Sequence, residues 1–380
     1  MEIKKLGTIC KLKQGFQVPL SEQETEKKEG YVRFIRIVDY TQNTNDIRYV
    51  IDNEKYYYVK PDDVVMVRYG AAGEVGHGIS GVIANNMFLI EPTIDINKNY
   101  LFYFLSQKNV KNKLLSTSTS TTMPALNFKI VNDLDIPIWD RIKQNKIVEV
   151  FDELSKIIAD RTKEISLLDE LIKARFVEMF GDPVSNPLGW KKKMLKTVCV
   201  KLNDGTHFSP ESFEEGEYKY VTAKNIKESG FDFTNITYVS EAVHRPIYER
   251  CNPELGDVLY IKDGVTTGIA MVNTINEEFT LLSSVALLKQ NRKIMDGYFL
   301  AAVLNNENMY SDIRSNMGGA AITRLTIAKL NMIQIIVPPL KLQQQFADFV
   351  HQVDKSKVAV QKALDETQLL FDSLMQQYFG

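Results

Sequence analysis

The sequence predicts an α/β (α+β) fold in which two similar globular segments are joined by two long antiparallel coiled-coil helices with pseudo-two-fold symmetry. Three observations predict it: an internal duplication, short strand-like runs in each half, and a heptad pattern that closes each half. The stretch 146–181 aligns without a gap on 345–380, an offset of 345 − 146 = 199 residues. KKLGTIC ending at Cys10 matches KMLKTVC ending at Cys199. Two copies of one unit indicate two similar working ends.

The composition is that of an ordinary globular protein. The chain has 380 residues, of which 44% are hydrophobic and 25% charged, and this length suits two domains of roughly 100 to 200 residues each. No apolar run approaches the roughly 18 to 20 residues that a membrane span needs. The start, MEIKKLGTICKLKQ, lacks the apolar segment and cleavage site of an export signal. We therefore expect a soluble cytoplasmic protein that does not bind membranes.

Each half shows the same order of short elements. In the first half, β-branched and aromatic runs begin at Tyr31, Lys55 and Asp63, a helical stretch covers about 100–115, and a polar run from Ser116 precedes the strand-like LDIPI. The order returns in the second half as DVLYIKDG, YFLAAVLNN and MIQIIVPP, after the prolines and glycines of GDPVSNPLGW end a helix. These patterns predict four segments, two globular and two helical: 1–140, 141–181, 182–340 and 341–380.

Both helical segments carry a coiled-coil seam, because apolar residues recur at alternating four- and three-residue steps. Helices of about 35 residues, roughly 50 Å long, exceed a domain of this size, so we expect them to pair with each other. A two-fold arrangement of two equal units makes the pair antiparallel, with one globular head at each end. The seam residues expected to pair and to serve partner docking are Phe151, Leu154, Ile158, Ile165, Leu168, Ile172, Val353, Leu364, Phe371 and Leu374.

Two similar heads on a spacer suit double-stranded DNA, because recognition elements at a fixed separation can enter the major groove at two half-sites. Against this, Lys plus Arg total 46 and Asp plus Glu 48, so neither head is the basic domain expected of a solitary DNA binder, and a partner would supply much of the phosphate grip. Polar residues in turn-like segments are the candidates for phosphates and base edges. These are Lys13, Gln14, Arg36, Arg68 and Tyr69 in the first head, and Asn203, His207, Lys224, Lys262, Thr266 and Arg324 in the second.

Patterns for catalysis and metal binding are weak. The three cysteines and four histidines show no metal-ligand spacing, so we predict no metal site and interpret the cysteines as small buried side chains. The glycines from Gly70 to Gly78 lack the lysine of a nucleotide-binding loop and indicate turns. Asp204 with Glu217 and Lys219 resembles the Asp…Glu-x-Lys arrangement of metal-dependent nucleases, which arises readily by chance in a charged chain.

Several further segments occur in a fixed order. They are NPLGWKKKML from Asn186, KLNDGTHFSP from Lys201, the predicted hairpin GDVLYIKDGVTTGIA from Gly256, VPPLKLQQQF from Val337, and the repeated helices that end in FG. In their order, spacing and duplication the whole chain resembles the DNA specificity subunits of type I restriction-modification systems. The first copy departs at Trp139-Asp140-Arg141, which replaces the PPL junction, and PDDVVMVRYGAAGEVG is a looser version of the hairpin.

The resemblance implies two target recognition domains, each reading one half of a split DNA sequence, held apart by the helical spacer. It implies a chain without catalytic activity or cofactor of its own. Two methyltransferase subunits, docked on the helices and adjoining surfaces, would use S-adenosylmethionine to methylate an adenine in each half-site. Restriction subunits, using ATP and Mg²⁺, would add translocation and cleavage.

Two other functions stay open. A two-headed adaptor that binds proteins would keep the duplication and the helices but would have no sequence-selective effect on DNA. A metal-dependent nuclease would cut DNA without partners. The polar run from Ser116 to Thr122 and MGGAAITR from Met317 suit equally a close approach to a groove and an ordinary loop, whereas the run Tyr56 to Tyr58 is better explained by packing in a strand.

Overall fold

The computed structural model describes residues 1–42, 45–116, 125–315 and 324–380. Apart from Ser116 and Arg324, the polar run from Ser116 to Thr122 and the MGGAAITR segment lie outside these residues. The chain divides into two compact units: unit 1 is Met1–Thr162 with Lys362–Gly380, and unit 2 is Lys163–Gln361. Each unit therefore contains one globular head and parts of both long helices.

The first head begins unit 1 and is followed by the first long helix. Its elements in chain order are β1 (Glu2–Lys5), α1 (Leu6–Ile9), β2 (Cys10–Gln14), a 3₁₀ turn (Leu20–Glu22), β3 (Tyr31–Ile35), α2 (Val38–Thr41), β4 (Arg48–Ile51), β5 (Val64–Val67), β6 (Val75–Gly76), β7 (Val82–Ile83), β8 (Met87–Pro92), α3 (Lys98–Leu105), α4 (Lys108–Ser116), α5 (Phe128–Asn132) and β9 (Asp135–Ile138), before the long helix α6 (Arg141–Phe180).

The strand β5, which begins the β5–β6 hairpin, is covered on one face by helices and on the other by a second sheet. The larger sheet has the antiparallel order β2-β8-β5-β6, the smaller has the order β4-β3-β7 with a parallel pair of β3 and β7, and β1 pairs with β9. Along β5, Val64 and Met66 point into a core shared with the helices, and Val65 and Val67 into the core under the smaller sheet. Because both faces are buried, the strand is apolar throughout rather than alternating.

The second head lies in unit 2 and precedes the second long helix. Its elements are β10 (Lys192–Met194), α7 (Leu195–Val198), β11 (Cys199–Asp204), β12 (Tyr218–Val221), a 3₁₀ turn (Ala223–Asn225), β13 (Ile226–Lys227), β14 (Gly230–Phe231), β15 (Thr237–Val239), α8 (Glu241–Arg250), β16 (Val258–Ile261), β17 (Ala270–Val272), β18 (Phe279–Leu281), β19 (Val285–Gln290), α9 (Gly297–Asn305), α10 (Glu307–Ser315), α11 (Ile327–Met332) and β20 (Gln334–Ile336), before the long helix α12 (Leu340–Phe379).

The second head repeats the sheet topology of the first. Its larger sheet has the order β11-β19-β16-β17 and its smaller sheet the order β15-β12-β18, in which β12 and β18 are parallel. The predicted hairpin from Gly256 is present, with Val258 of β16 opposite Val272 of β17. Along β16, Val258 and Tyr260 face one core, and Leu259 and Ile261 face the other. The β13–β14 hairpin and α8 are additions without a counterpart among the described residues of the first head.

The two long helices run antiparallel where they pair within each unit. In unit 1 the start of α6 packs on the end of α12, and the Phe151 ring lies 5.1 Å from that of Phe371 and 6.0 Å from that of Phe379, measured between centroids. In unit 2 the end of α6 packs on the start of α12, where Phe176 and Phe346 lie 5.6 Å apart. No helix of the described residues is long and apolar enough to cross a membrane.

Every residue predicted for the seam is buried or half-buried. Leu154 and Val353 are 8% and 6% exposed, and Phe151 is fully buried. A residue every three or four steps stays on one face of a helix, which accounts for the burial that these positions share, and their role in partner docking stays a prediction. The half-buried members are Ile158, Ile165, Leu168, Ile172, Leu364, Phe371 and Leu374.

The strand predicted at KYYYV from Lys55 is absent. Val59 alone makes a β-bridge, to Gly81. Tyr56 and Tyr57 instead pack on the Phe16 ring at centroid distances of 4.7 and 4.9 Å. Aromatic residues favour strands only where the pleated surface buries them, and here a loop provides that burial.

Candidate nucleic-acid interface

The two heads hold their candidate residues on equivalent backbone. In the first head the Leu126 N–H donates to the Arg68 carbonyl at 2.8 Å, and in the second the Leu325 N–H donates to the Lys262 carbonyl at 2.7 Å. Arg68 directly follows β5, and Lys262 directly follows β16. Arg68 and Lys262 are therefore structural counterparts at the end of the hairpin strand, although nothing in their side chains indicates it.

A second pair of equivalent positions lies at the end of β2 and of β11. Each strand is followed directly by a glycine, where a Cβ would lie 2.2 Å from a backbone carbonyl oxygen at Gly15 and 1.8 Å from one at Gly205. Only glycine fits such an approach. The close approach of each glycine fixes the residue before it. It places Gln14 beside Arg68 in the first head and Asp204 beside Lys262 in the second.

In the second head the Asp204 carboxylate brings three side chains together. Its Oδ2 lies 3.2 Å from Lys262 Nζ, and its Oδ1 lies 3.2 Å from His207 Nε2 and 3.5 Å from Arg250 Nη1. The Asp204 side chain is only 4% exposed, and a buried carboxylate of this kind requires compensating partners. Asn203 joins the group, since its side-chain amide donates to the Arg250 carbonyl at 3.0 Å. The sequence missed Arg250, because no local pattern links the end of α8 to this segment.

Lys262 differs from its predicted role. It is 2% exposed, so its ammonium group lies beneath the surface and is neutralised by Asp204 instead of facing solvent. The prediction assumed that a lysine beside a turn is exposed, whereas the long-range contact with β11 buries it. A lysine is tolerated in such a place only when it is paired. In this structure Lys262 supports the edge of the head, by which we mean the ends of β11 and β16, or of β2 and β5 in the first head, with the loops that follow them.

The hairpin loop after Lys262 presents its tip to solvent. Thr266 is exposed, and Val265 is 93% exposed. The base of the loop is held by the buried Thr267, whose hydroxyl donates to the Gly264 carbonyl at 2.6 Å, and by Arg314, which donates to the Thr267 carbonyl at 3.1 Å. These bonds present Thr266 on a supported loop.

Two further candidates connect to the same edge. The Lys262 N–H donates to the Ser284 carbonyl at 2.9 Å. The N–H of Ala223, the residue before Lys224, donates to the Ser284 hydroxyl at 3.3 Å. Arg324 is 54% exposed and pairs with Asp263 at 3.4 Å. Asn203, His207 and Lys262 are thus linked through Asp204 and Arg250. Lys224 and Arg324 adjoin Lys262 through Ser284 and Asp263, and Thr266 lies further along the same loop as Lys262.

In the first head, Gln14 and Arg68 form the equivalent pair. Arg68 Nη1 donates to Gln14 Oε1 at 3.0 Å, and the guanidinium lies 4.8 Å from the centroid of the Phe128 ring. The Gln14 amide also donates to the Asn85 carbonyl. Because Gln14 is neutral, Arg68 keeps its full positive charge, whereas Lys262 shares its charge with Asp204.

Arg36 lies near this pair. It lines a cavity of about 530 Å³ with Gly70 and Asn85, and Asn85 is the residue that accepts from Gln14. The Arg36 guanidinium is 21% exposed and pairs with Asp46 at 3.1 Å. The hydrogen bond from Arg48, followed by that from Arg36, lowers the pKa of Asp46.

The remaining candidates of the first head have local partners. Lys13 Nζ lies 2.8 Å from Glu91 across the β2–β8 ladder and is 37% exposed. Tyr69 is half-buried and pairs through its backbone with Ala125. Lys13 therefore belongs to the strand face, whereas Tyr69 lies beside the Gln14–Arg68 pair in sequence and in space.

Two of the three side chains that resemble a nuclease site have ion-pair partners. Asp204 is held by cations, and Lys219 pairs with Glu277. Within the described ranges, no group of three His, Cys, Asp or Glu side chains is placed to hold a metal ion. Burial raises the pKa of the Cys10 and Cys251 thiols to about 12, so both stay protonated and unreactive at neutral pH.

Known proteins are similar to this chain in sequence. The model of the type I restriction modification DNA specificity domain matches residues 1–167 and 187–367. The MjaVIII specificity subunit of a type I restriction enzyme from Methanocaldococcus jannaschii is 22% identical over 387 residues, covering 95% of this chain and 89% of that protein. The MjaIX specificity subunit from the same organism is 22% identical, covering 75% and 69%.

The likeness extends to solved structures. The S subunit of the type I restriction-modification system of M. genitalium superposes with a TM-score of 0.61 at 16% identity, covering 100% of this chain and 96% of that one. A chain from a structure on complex assembly and conformational transition of the type I system gives 0.57, also at 16% identity, covering 100% and 97%. These likenesses confirm the predicted fold class, and the two family matches fall on the two copies of the repeat. The chain belongs to the type I restriction-modification DNA specificity family.

Proposed function

We propose that this chain selects the DNA target of a type I restriction-modification complex, with each head reading one half of a bipartite sequence and the helices setting the distance between halves. The observation that carries the proposal is the pair of equivalent edges. Both heads use the same backbone bonds at Arg68 and Lys262, yet the polar side chains around these positions differ, with Gln14 beside Arg68 and with Asp204 and Arg250 beside Lys262. A repeated scaffold with different polar groups at matched positions is what the reading of two different half-sites requires.

The modest charge of the heads fits a reader that works inside a larger assembly. Lys and Arg total 46 against 48 for Asp and Glu, so the chain by itself lacks the strong phosphate attraction that dominates non-specific DNA affinity. Partner subunits would supply that attraction, and the heads would supply the sequence preference. DNA and the other subunits of the complex are therefore the proposed partners, and the cytoplasm is the proposed location.

The helices offer a surface to those partners. Beyond the seam, several apolar side chains of α6 and α12 remain exposed, and such residues on the outside of a helix pair mark sites for further helices. We assign this surface to two methyltransferase subunits, which would bring S-adenosylmethionine, and the restriction subunits would bring ATP and Mg²⁺; this chain would bind no cofactor. The exposed apolar residues include Leu167, Leu171, Val177, Leu369 and Leu370.

A half-swap tests the proposal. Residues 191–336, which run from the start of the second head to the end of β20, would be replaced by the matching segment of a relative with a different target. Methylated adenines would then be mapped across a genome in cells that supply the methyltransferase subunits. We expect one half-sequence of the target to change, while the other half and the intervening length stay as they were.

The control is the reciprocal exchange of the first head, which should change only the other half. A swap that changes both half-sequences, or leaves methylation unaltered, would contradict independent readers. Methylated sites that are the same in cells with and without this chain would instead favour a protein-binding adaptor.

A further inference from the structure

Arg250 and its surroundings contain a feature that the duplication does not explain. The first head keeps one uncompensated cation on its edge, because Arg68 is paired with the neutral Gln14. The second head has Asp204 in place of the glutamine, and Asp204 neutralises the counterpart lysine, which is 2% exposed. The counterpart of the half-buried Arg68 is therefore a buried ion pair without net charge.

Arg250 restores the missing charge from a different element. It ends α8 (Glu241–Arg250), and residues 52–63 of the first head, which connect the equivalent strands, contain no helix. Its guanidinium lies 3.5 Å from Asp204 Oδ1, donates to the Gly205 carbonyl, and is 43% exposed. With Lys262 and Arg250 both on one carboxylate, the edge again carries one net positive charge, now on a side chain that reaches solvent.

The two anchors also fix the direction of the guanidinium. Arginine has five N–H donors in a planar fork. In Arg250, Nη1 lies 3.5 Å from Asp204 Oδ1 and Nη2 donates to the Gly205 carbonyl. Each terminal nitrogen carries a second N–H, and these two groups together with Nε–H are the donors that a ligand would meet. A guanidinium held in one orientation loses little conformational entropy on binding, which favours a contact that depends on geometry over a simple charge attraction to phosphate.

We propose that Arg250 is a base-reading residue of the second head and that its ligand is the O6 and N7 edge of a guanine in that head's half-site. This inference rests on the proposed DNA-reading function. Bidentate pairing of arginine with this edge is the commonest specific contact in the major groove. Asp204 is a positioning residue that acts through Arg250. Arg250, at the end of α8, takes in the second head the place that Arg68 holds in the first.

The test compares Arg250→Ala and Arg250→Lys with Arg245→Ala in the assembled complex with methyltransferase subunits. Arg245 lies on the same helix and is 49% exposed, but its three guanidinium nitrogens already meet Glu241, Glu278 and the Tyr218 hydroxyl. Affinity would be measured for duplexes carrying the mapped target. We expect both Arg250 substitutions to weaken binding by about ten- to hundredfold, since lysine keeps the charge but not the fork, and Arg245→Ala to change it little.

A modified base identifies the contact itself. Replacing guanines of the second half-site by 7-deazaguanine removes only the N7 acceptor, so it should weaken binding of the unmodified protein but add nothing to Arg250→Ala. Melting temperatures of the variants separate loss of contact from loss of fold. Uniform weakening on all sequences with a shallower salt dependence would mean a phosphate contact and would overturn the assignment, as would a second half-site without guanine. If the half-swap still changes one half-sequence, only this inference fails and the proposed function stands.

Discussion

The first and second heads share a sheet topology but differ in the charges of the side chains at their edges. At the end of β2 and β11, Gln14 and Asp204 follow the same path into a glycine that admits no side chain. Each contacts the residue after the hairpin strand, Arg68 or Lys262. The difference teaches that the fold fixes where polar groups stand, while their identity and charge vary freely. In the second head Asp204 neutralises Lys262, and the further cation at this edge is Arg250, which comes from α8.

The cores beneath the edges should respond alike, and here we expect the largest effect. Phe151 in unit 1 and Phe176 in unit 2 are buried among aromatic rings of the paired helices. Replacing either by Ala should cost about 3 to 5 kcal/mol of unfolding free energy, because a large buried side chain leaves a cavity. Hydrogen exchange should locate the loss in the altered unit alone.

Leu369→Ala is the matched control, because Leu369 is 71% exposed on α12 and its truncation should leave stability nearly unchanged. A loss that spreads equally over both units after either phenylalanine substitution would contradict the division into two separately packed cores.

The edges themselves should respond unequally. Asp204→Ala leaves the buried Lys262 ammonium without its partner, and breaking such a pair costs about 3 to 5 kcal/mol. Gln14→Ala removes the hydrogen bonds with the Arg68 guanidinium and the Asn85 carbonyl, which should cost about 1 to 2 kcal/mol because Arg68 is half-buried and can turn to solvent. Chemical denaturation of each variant measures the difference.

The double variant Asp204→Ala with Lys262→Met separates charge from packing. It should recover much of the stability lost by Asp204→Ala, since an apolar side chain of similar length needs no counter-ion. Equal losses for Gln14→Ala and Asp204→Ala would show that the two edges are energetically the same.

Several parts of this structure were readable from the sequence, and the reasons are local. The heptad steps placed Phe151 and Val353 in the seam, and the glycine-flanked run from Gly256 gave the β16–β17 hairpin. Periodicity and turn chemistry act over a few residues, so they can be read from neighbours in the chain.

The contacts of the candidate site were not readable in this way. Asp204 ends β11 and Lys262 follows β16, and the strand β19 lies between these two in the sheet. Arg250 lies on a helix that contains Pro246, and a proline in the sequence indicates a helix break. The burial of Lys262 depends on that pairing and not on its own neighbours. Sequence therefore indicated which segments form the edge, while the pairing of charges within it required the fold.

Acid should weaken the two units through different histidines. His244 of the second head is fully buried, with Nδ1 2.8 Å from the Thr280 hydroxyl and Nε2 3.2 Å from Glu278. Burial lowers the pKa of His244 below its ordinary 6.5, against the opposing effect of Glu278. The neutral form is favoured in the fold, so stability is full above pH 6.5 and is lost as pH falls towards the lower folded pKa.

His244→Gln should therefore flatten the pH dependence of unit 2 below pH 6.5, whatever it costs at neutral pH. Unit 1 should keep its own dependence, because burial also lowers the pKa of His77, with Asp152 opposing. His351→Gln, at an exposed position of α12, serves as the control. An unchanged slope in unit 2 after His244→Gln would rule out His244 as the acid-sensitive group.

The smallest effect concerns a difference within the spacer. Lys357 Nζ lies 2.5 Å from Asp169 Oδ1 in unit 2, and the repeat offset places Ile158 and Gln368 at the matching positions of unit 1. The lysine side chain is 17% exposed and the aspartate 47%, so solvent screens the pair and it should contribute less than about 1 kcal/mol. Lys357→Ile copies the unit 1 residue into the seam, where burial of the isoleucine offsets the lost ion pair. We expect the melting temperature of unit 2 to shift little and its salt dependence to become slightly shallower, and a double-mutant cycle with Asp169→Ala to give a coupling energy below about 1 kcal/mol. A coupling of several kcal/mol would show that the two units hold their helices together by different means, and that the duplication preserved the seam in shape but not in energy.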